Sequence, residues 1–456
     1  MCGEVGVADA RFAPGHLGEL TQIVPFEMVD AALEETRTLQ QRLRDLPARV
    51  VVYLLLAGCL FPEVGYCGVW RKLTAGLDTG LDNGAGTGTA PVIATPSASA
   101  LAQARRRVGP APLRWLFDLL RSPMAPPGQP GAWWRGLLVC AIDGTILTVP
   151  DSAAVLTRFT KQAGNHGGTG YPQLRLLALV ACGTRAVIDA VFGPTTSGET
   201  TYAPRLLGSL KAGMLLLADR NFAAQDLVID IAATGAHVLV RCKNGRKMPV
   251  LARYRDGSYL SVLGQLRVRV VEAEITVTTS AGRHRGVYRL ATTLLDCERY
   301  PAAELVRLYH ERWEIETAYL ELKSSMLGGR VLRARTPAGI EQEVYALLVT
   351  YQLLRTAIAD ACTACPDLDP DRASFTIAWQ TARDQIVQAA GAIAVIDLVG
   401  VIGRHVLAQP MPARRPRVGP RIVKRAISKY QARGPHPDRA SYKATFRVDI
   451  ITGASP

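Results

Sequence analysis

Two aspartates follow apolar runs that have the composition of buried β-strands. Asp143 comes directly after the run LLVCAI, and Asp219 comes directly after MLLLA. A carboxylate at the carboxyl end of a strand lies where α/β sheets place their functional sites, although aspartates also commonly cap turns or helices there. The two residues are therefore candidates for one acidic site.

A third acid lies in the segment AAELVRLYHERWEIETAYLELK, residues 302–323, whose composition and length predict a helix. At about 100° per residue, one stripe of this helix carries Tyr309, Arg312, Glu316 and Lys323. Large apolar residues flank the stripe, which predicts that Glu316 lies on a buried face, whereas Glu311, Glu314 and Glu321 are predicted to form a solvated face. A buried Glu316 needs compensation from Arg312, from Lys323, or from a cation shared with other carboxylates; a purely structural ion pair with Arg312 is the alternative.

Three carboxylates from two strand ends and one helix make a hard oxygen site, which suits Mg²⁺ or Mn²⁺ and not zinc. Two such ions about 4 Å apart activate an attacking oxygen and stabilise a leaving one during in-line phosphoryl transfer. Arg312 and Lys323 would then grip phosphates beside the site. This pattern predicts cleavage and joining of nucleic acid strands.

The elements around these acids predict the fold. From residue 137 onward the order is three strands, helix, strand, helix, strand, which is typical of a ribonuclease H-like α/β sheet. A β-rich insertion precedes the helix that carries Glu316. The predicted division of the chain is a helical N-terminal domain (1–77), a linker with a helix-turn-helix-like segment (78–134), the catalytic core (135–243 and 300–400), the β-rich insertion (244–299) and a basic C-terminal tail (401–456).

Charge points to a polyanionic partner. The formal net charge is +14 and the isoelectric point is about 9.5, which favours nucleic acid or an acidic surface. Arg105, Arg106 and Arg107, in the helix-turn-helix-like segment, are candidate DNA contacts or simply a solvated basic face. The basic tail is either an arm along DNA phosphates or a disordered, solubilising segment.

Other features indicate a cytoplasmic protein. Nine cysteines are scattered along the chain, which fits reduced thiols, and only Cys362 and Cys365 form a C-x-x-C pair. No apolar run has the roughly 20 residues of a membrane span, so no membrane partner is expected. The Gly-rich 166–171 (HGGTGY) lacks the Lys and Ser/Thr of a phosphate-binding loop and is predicted to be a flexible loop beside the acids.

At these residues the sequence resembles the DDE transposases of the insertion-sequence four family. The signature of that family is Tyr, two residues, Arg, three residues, Glu, six residues, Lys, and Tyr309, Arg312, Glu316 and Lys323 match it at every spacing. The tracts that begin Asp143-Gly144-Thr145 and Asp219-Arg220-Asn221 are similar to the first two acidic motifs. The helical N-terminal segment also resembles that of the family.

The resemblance implies that Asp143, Asp219 and Glu316 are the catalytic metal ligands, with two Mg²⁺ or Mn²⁺ ions, and that Tyr309, Arg312, Lys323 and Arg220 contact DNA. It implies cut-and-paste movement of an element between terminal inverted repeats, synapsis of double-stranded DNA ends by a homodimer, joining to target DNA, and action at the bacterial nucleoid. Related hairpin-forming enzymes use a Trp in the insertion, and residues 244–299 contain none. An aromatic side chain could replace it; the candidates are Tyr254, Tyr259 and Tyr288, whereas Trp313 is predicted to be core.

Two other functions fit the same residues. One is a stand-alone metal-dependent nuclease, because the fold does not fix the function and cleavage needs the same carboxylates. The other is a catalytically inactive DNA-binding regulator derived from a transposase. The presence of all three acids with both basic partners favours an active enzyme.

Overall fold

The computed structural model describes residues 16–452 except for 41, 43–45, 80–94, 163–169, 281, 366, 389–396, 398, 413–416 and 419–441. The chain divides into two compact units, each built from separate stretches of sequence. The helical unit comprises Met1–Met124, Thr148–Arg158 and Tyr319–Met411, and the sheet unit comprises Ala125–Leu147, Phe159–Ala318 and Pro412–Pro456. The predicted linker and the Gly-rich 166–171 segment lie largely outside the described residues.

The described helices are concentrated in the helical unit. The α-helices are α1 (Phe26–Glu35), α2 (Ala48–Leu60), α3 (Tyr66–Thr79), α4 (Ala98–Val108), α5 (Ala111–Leu120), α6 (Ala153–Leu156), α7 (Glu199–Tyr202), α8 (Gln225–Ala233), α9 (Ala302–Leu308), α10 (Glu314–Leu320), α11 (Pro337–Ala364), α12 (Phe375–Gln388) and α13 (Gly400–Ala408). Short 3-10 helices occupy Leu20–Gln22, Ala203–Ser209, Arg220–Phe222, Tyr309–Trp313 and Pro370–Arg372, and a π-helix occupies Glu321–Met326.

The strands, most of them in the sheet unit, are β1 (Trp133–Trp134), β2 (Leu137–Thr148), β3 (Gln173–Ala181), β4 (Val187–Pro194), β5 (Met214–Ala218), β6 (His237–Cys242), β7 (Ala252–Arg253), β8 (Tyr259–Leu263), β9 (Leu266–Thr279), β10 (Gly282–Thr292), β11 (Arg417–Val418), β12 (Tyr442–Lys443) and β13 (Thr445–Ile450). The main sheet has the order β4-β3-β2-β5-β6-β10-β9-β8-β7, with β1 added to β2 and β13 to β9. At its centre, β2, β5 and β6 run parallel.

The helical unit is built around α2 and α11. The sequence of α2 is apolar on every side, so nearly all of its residues are buried, and it packs against α11. The helix α11 begins at a Thr336 cap, whose hydroxyl accepts a hydrogen bond from the Gly339 N–H at 3.2 Å, with Pro337 at the first position. No described helix combines the length and apolarity that a membrane crossing requires.

The predicted helix-turn-helix-like segment forms two helices, α4 and α5, separated by Gly109 with φ of 67°. Arg105 does not extend freely from α4, because its guanidinium lies 3.9 Å from the centre of the Tyr66 ring. Arg106 and Arg107 are exposed. The solvated alternative is therefore wrong for Arg105, which has a packing role, whereas DNA contact by Arg106 and Arg107 stays a prediction.

The predicted order of elements in the catalytic core is confirmed: β2, β3 and β4 are followed by α7, β5, α8 and β6. The fold is α/β and ribonuclease H-like, with a helical region before it. The core beneath the sheet joins residues of the central strands to α8 and the 203–209 turn, for example Leu216, Val238, Leu227 and Leu206. Burial of this cluster fixes the strands whose ends carry the acids.

Three details differ from the sequence predictions. The strand β2 does not end at Asp143 but continues to Thr148, while its parallel pairing with β5 ends at Ile142 and Ala218. The insertion does not interrupt the sheet; it extends it, because β10 pairs with β6. Within the predicted tail, residues 445–450 are part of the sheet, since β13 pairs antiparallel with β9. Edge strands gain hydrogen bonds by such pairing, which a local sequence pattern does not reveal.

The turn between β3 and β4 is packed inside the sheet unit instead of lying on its surface. A Cβ placed on Gly183 would lie 2.5 Å from the backbone N of Ala132 and 2.6 Å from its Cα. Backbone cannot yield as a flexible side chain can. Glycine is therefore required here for space.

We predict that Gly183→Ala lowers the free energy of unfolding by about 1–3 kcal/mol, because overpacking displaces the 131–132 backbone. Urea denaturation measures the change. Gly208→Ala is the matched control, since a Cβ at Gly208 meets nothing within 4 Å. A Gly183→Ala protein as stable as this control would contradict the close packing.

Candidate active site

Asp143 and Asp219 lie side by side on neighbouring parallel strands. Ile142 pairs with Ala218 in the register of β2 and β5, so the two aspartates occupy the next position along each chain segment, Asp143 within β2 and Asp219 directly after β5. Adjacent strands are about 4.8 Å apart, which brings the two carboxylates into one site. The Asp219 carboxylate also accepts a hydrogen bond from the Asn221 N–H at 2.7 Å, which starts the 220–222 turn.

Arg312 joins two of the predicted acids. Its Nη1 donates to the Asp143 carboxylate and its Nη2 to the Glu316 carboxylate, each at 3.1 Å. The planar guanidinium holds both partners in a fixed geometry. Arg312 thereby links Glu316 to the strand that carries Asp143, and Asp219 follows the neighbouring parallel strand.

Tyr309 fixes the same segment to the other strand. Its hydroxyl donates a 3.0 Å hydrogen bond to the carbonyl of Ala218, the residue before Asp219, and the ring is buried. Burial raises the pKa of Tyr309 well above its ordinary range, so the phenol stays protonated and donating. DNA contact by Tyr309 stays a prediction, but its hydroxyl has a positioning task in the protein itself.

The segment 302–323 is helical throughout, as predicted, but it is not a uniform α-helix. The chain runs from α9 through the 3-10 turn Tyr309–Trp313 into α10 and then into the π-helix. A 3-10 helix advances about 120° per residue against 100° for an α-helix, so five such residues shift the helical phase by roughly 100°. The faces assigned from a uniform helix are therefore displaced.

The acids of this segment show the displacement. The Glu316 side chain is 42% exposed instead of lying on a buried face. Glu314 and Glu321, predicted to be solvated, are buried. In the helical unit, Glu321 accepts hydrogen bonds from Tyr351 and Arg355. Trp313, predicted to be core, is 53% exposed.

Glu314 is fixed by a buried partner from the β3–β4 turn. Arg185 Nε donates to its carboxylate at 2.6 Å, and the two side chains are only 2% and 6% exposed. Arg185 adopts a left-handed backbone conformation, with φ of 56°. Glu314 is the first residue of α10, so this ion pair holds the start of the helix that carries Glu316.

The remaining predicted contacts occupy different places. Arg220 is exposed on the turn that follows Asp219, where DNA contact stays a prediction. Lys323 is half-buried in the π-helix and, like Arg105, Arg106 and Arg107, belongs to the helical unit. In the insertion, Tyr259 is buried and donates to Glu272, so it is not available for stacking. Arg241 covers the Tyr288 ring at 3.9 Å.

The electrostatics of Asp143 fit a cation site. Burial raises the pKa of its carboxyl to about 6, against the lowering influence of the Gly144 N–H and Arg312, and the charges of Asp219 and Glu199 add to the rise. A buried carboxylate beside two further acids is stabilised by a multivalent cation. The oxygen-only donor set of Asp143, Asp219 and Glu316 suits a hard divalent ion.

We predict that Glu314→Leu lowers the free energy of unfolding by roughly 3–5 kcal/mol, because it leaves the buried Arg185 without this partner. The double variant Arg185→Met/Glu314→Leu should regain most of that stability, since a buried ion pair is often replaced by apolar residues without net loss. Urea denaturation compares the single and double variants. Additive losses in the double variant would show that the two side chains do not interact.

The raised pKa of Asp143 predicts a pH-dependent stability. The Asp143 carboxyl binds its proton more tightly in the folded state than in the unfolded chain. Its contribution to the free energy of unfolding is therefore present at pH 4 and is lost as the pH rises through 6. In EDTA, the wild type should lose roughly 2–3 kcal/mol relative to Asp143→Asn between pH 4 and pH 7. Unfolding curves at four pH values test this; a constant difference would contradict it.

Comparison with known proteins finds similarity to transposases. Among solved structures, the piggyBac transposase synaptic complex with hairpin DNA has a TM-score of 0.42 at 10% identity, over 88% of this chain and 85% of that one. The chain is 30% identical over 140 residues to the putative transposase InsZ of Escherichia coli K12, which is 30% of this chain and 47% of InsZ. It is 25% identical over 418 residues to the transposase InsG for insertion sequence element IS4 of the same bacterium, covering 89% of this chain and 91% of InsG.

Two family matches account for most of the sequence. Residues 14–118 match the insertion element 4 transposase N-terminal family, and residues 134–353 match the transposase DDE domain. The second match contains Asp143, Asp219 and Glu316. On these matches the chain belongs to the insertion sequence 4 family of DDE transposases, enzymes that cleave DNA and transfer its strands.

Proposed function

We propose that this transposase moves a DNA element by cut-and-paste transposition, cutting at terminal inverted repeats and joining the ends to target DNA. The observation that carries the proposal is the Arg312 bridge between Asp143 and Glu316, together with the pairing of the strands that lead to Asp143 and Asp219. The joining step distinguishes this function from that of a stand-alone nuclease.

Asp143, Asp219 and Glu316 are the residues that would hold two divalent ions, Mg²⁺ or Mn²⁺. Their fit rests on the oxygen-only donors and on the burial of Asp143 beside other acids. When bound, such ions supply the Lewis acidity that activates an attacking oxygen and stabilises a leaving one. The chain holds the ligands: β2 and β5 fix the aspartates, and Tyr309 fixes the segment that brings Glu316.

The basic side chains of the family signature and of the turn after Asp219 are suited to phosphates. Arg312 is planar and always charged, so it can exchange a carboxylate partner for a phosphate oxygen. Arg220 is exposed directly after Asp219, and Lys323 completes the family signature. Arg106 and Arg107, in the helical unit, add further phosphate contacts. A net charge of +14 favours fast, salt-dependent association with DNA.

The assembly follows from the reaction. Two DNA ends are cut and both are joined to one target, so we propose that a homodimer holds both ends in one synaptic complex at the bacterial nucleoid. The relative InsG is named for an insertion sequence element, which supports an element with defined ends as the substrate. A mixing experiment with active and Asp219→Asn subunits measures whether both protomers act on one pair of ends.

Cleavage of labelled duplexes that carry the ends flanking the gene tests the proposal. We predict metal-dependent cleavage by the wild type, with loss to background in Asp143→Asn, Asp219→Asn and Glu316→Gln, because each removes a metal ligand while keeping its volume. Gel-shift affinity for the same duplex should change by less than about threefold, since no phosphate contact is lost.

Glu304→Gln is the control, because Glu304 is a carboxylate of the same unit whose partner is the exposed Arg135. This variant should cleave normally. Cleavage that survives Asp219→Asn would place the chemistry elsewhere. Equal cleavage of DNA without repeats, with no joined product, would indicate a nuclease.

A further inference from the structure

A fourth acid, Glu199, lies against the strand that carries Asp143. It is the first residue of α7, and the short helix turns Glu199 and Tyr202 toward the same side, three residues apart. The strand β2 has no side chain at Gly144, and a Cβ placed there would lie 2.7 Å from the Glu199 carboxyl carbon and closer still to one of its oxygens. Glycine at this position is what lets the carboxylate reach β2.

A second glycine repeats the arrangement on β4. A Cβ on Gly193 would overlap the Tyr202 hydroxyl, and that hydroxyl donates a 2.9 Å hydrogen bond to the carbonyl of Pro194. The two ends of α7 thus insert side chains into gaps on β2 and β4. This seating fixes the position of Glu199 independently of its charge.

Arg175 completes the environment of Glu199. It lies on β3, in register with Gly193, and its Nη1 donates to the Glu199 carboxylate at 3.0 Å. Both side chains are about one-fifth exposed. The Nε of Arg175 is buried and has no hydrogen-bond partner among the described residues. The ion pair with Glu199 therefore uses only part of the hydrogen-bonding capacity of the guanidinium. A buried N–H group without a partner costs stability, so this contact is not optimised for stability alone.

Glu199 also faces the other aspartate strand. The helix α7 packs on the 220–222 turn that Asp219 caps. The charge of Glu199 acts on Asp143, where it adds to the unfavourable potential that the carboxylate experiences. A side chain held by two glycine gaps, and placed between the elements that carry both aspartates, adds negative potential where a cation would be bound.

We infer that Glu199 is a fourth carboxylate of the metal centre, an outer acid that strengthens divalent cation binding by Asp143, Asp219 and Glu316. The inference rests on the proposed function, because it needs those three residues to bind the metal. The two glycine gaps hold Glu199 in place, and Arg175 moderates its charge. Gly144 is the gap on β2 that admits the Glu199 carboxylate at the position next to Asp143.

Mn²⁺ binding to the full chain without DNA, measured by electron paramagnetic resonance of the free ion, tests the inference. Glu199→Gln should weaken Mn²⁺ binding by about tenfold, the lower range found for groups that support metal ligands. Arg175→Met should leave the affinity unchanged or raise it, because it removes a positive charge near the same point. A purely structural ion pair would give a loss of affinity from both variants.

Gly144→Ala supplies an independent arm. It removes no charge but displaces the Glu199 carboxylate, so it should weaken Mn²⁺ binding. The double variant Gly144→Ala/Glu199→Gln should bind Mn²⁺ with an affinity no lower than that of the single variant with the lower affinity. Additive losses would overturn this reading of Gly144. Glu304→Gln, an exposed carboxylate paired with Arg135, is the control and should bind Mn²⁺ as the wild type does.

The two proposals fail in different ways. If Asp143→Asn and Asp219→Asn abolish Mn²⁺ binding while Glu199→Gln has wild-type affinity, only the role of Glu199 is overturned. If Asp143→Asn and Asp219→Asn also bind as the wild type does, the metal site itself is misplaced. Thermal unfolding of each variant, run in parallel, shows whether a loss of affinity accompanies loss of the fold.

Discussion

Carboxylates that must act together repel one another, and in this transposase one guanidinium opposes that repulsion. Arg312 contacts Asp143 and Glu316 at equal distances of 3.1 Å, and its side chain is mostly buried, so its charge is only weakly screened by water. The position of Arg312 therefore determines whether Asp143 and Glu316 can be held by one side chain. Two neighbouring contacts determine that position: Tyr309 is bonded to the carbonyl before Asp219, and Glu314 is paired with Arg185.

The irregular helix explains how one short segment makes all these contacts. A uniform α-helix from residue 302 would turn Glu314 away from the sheet and bury Glu316. The 3-10 turn Tyr309–Trp313 changes the phase, so Glu314 points inward to Arg185 and Glu316 remains accessible to a ligand. Departures from α-helical geometry are common at functional sites for this reason. Identical carboxylates two residues apart thus have opposite tasks, one structural and one chemical.

Local patterns predicted much of the fold, whereas long-range contacts determined the rest. Apolar runs predicted the central strands and their order, and spacing alone selected Tyr309, Arg312 and Glu316. The continuation of β2 beyond Asp143 and the pairing of β13 with β9 depend on partners far along the chain. Arg185 lies in the turn between β3 and β4, where nothing local in the sequence indicates a buried partner 129 residues away. Glu199 begins α7, and its approach to β2 becomes visible only when the missing side chain of Gly144 is considered.

The Asp-Gly pair at residues 143 and 144 is best understood as one device. Asp143 needs a strand that continues beyond it, because the hydrogen bond from the Gly144 N–H orients its carboxylate at 2.8 Å. The same residue must lack a side chain so that α7 can approach. A substitution there would press on a carboxylate that is already destabilised by burial and by neighbouring charge. The missing side chain of Gly144 therefore allows the acids to lie close together, and the charge of Arg312 offsets part of their repulsion. A bound divalent ion would offset the rest.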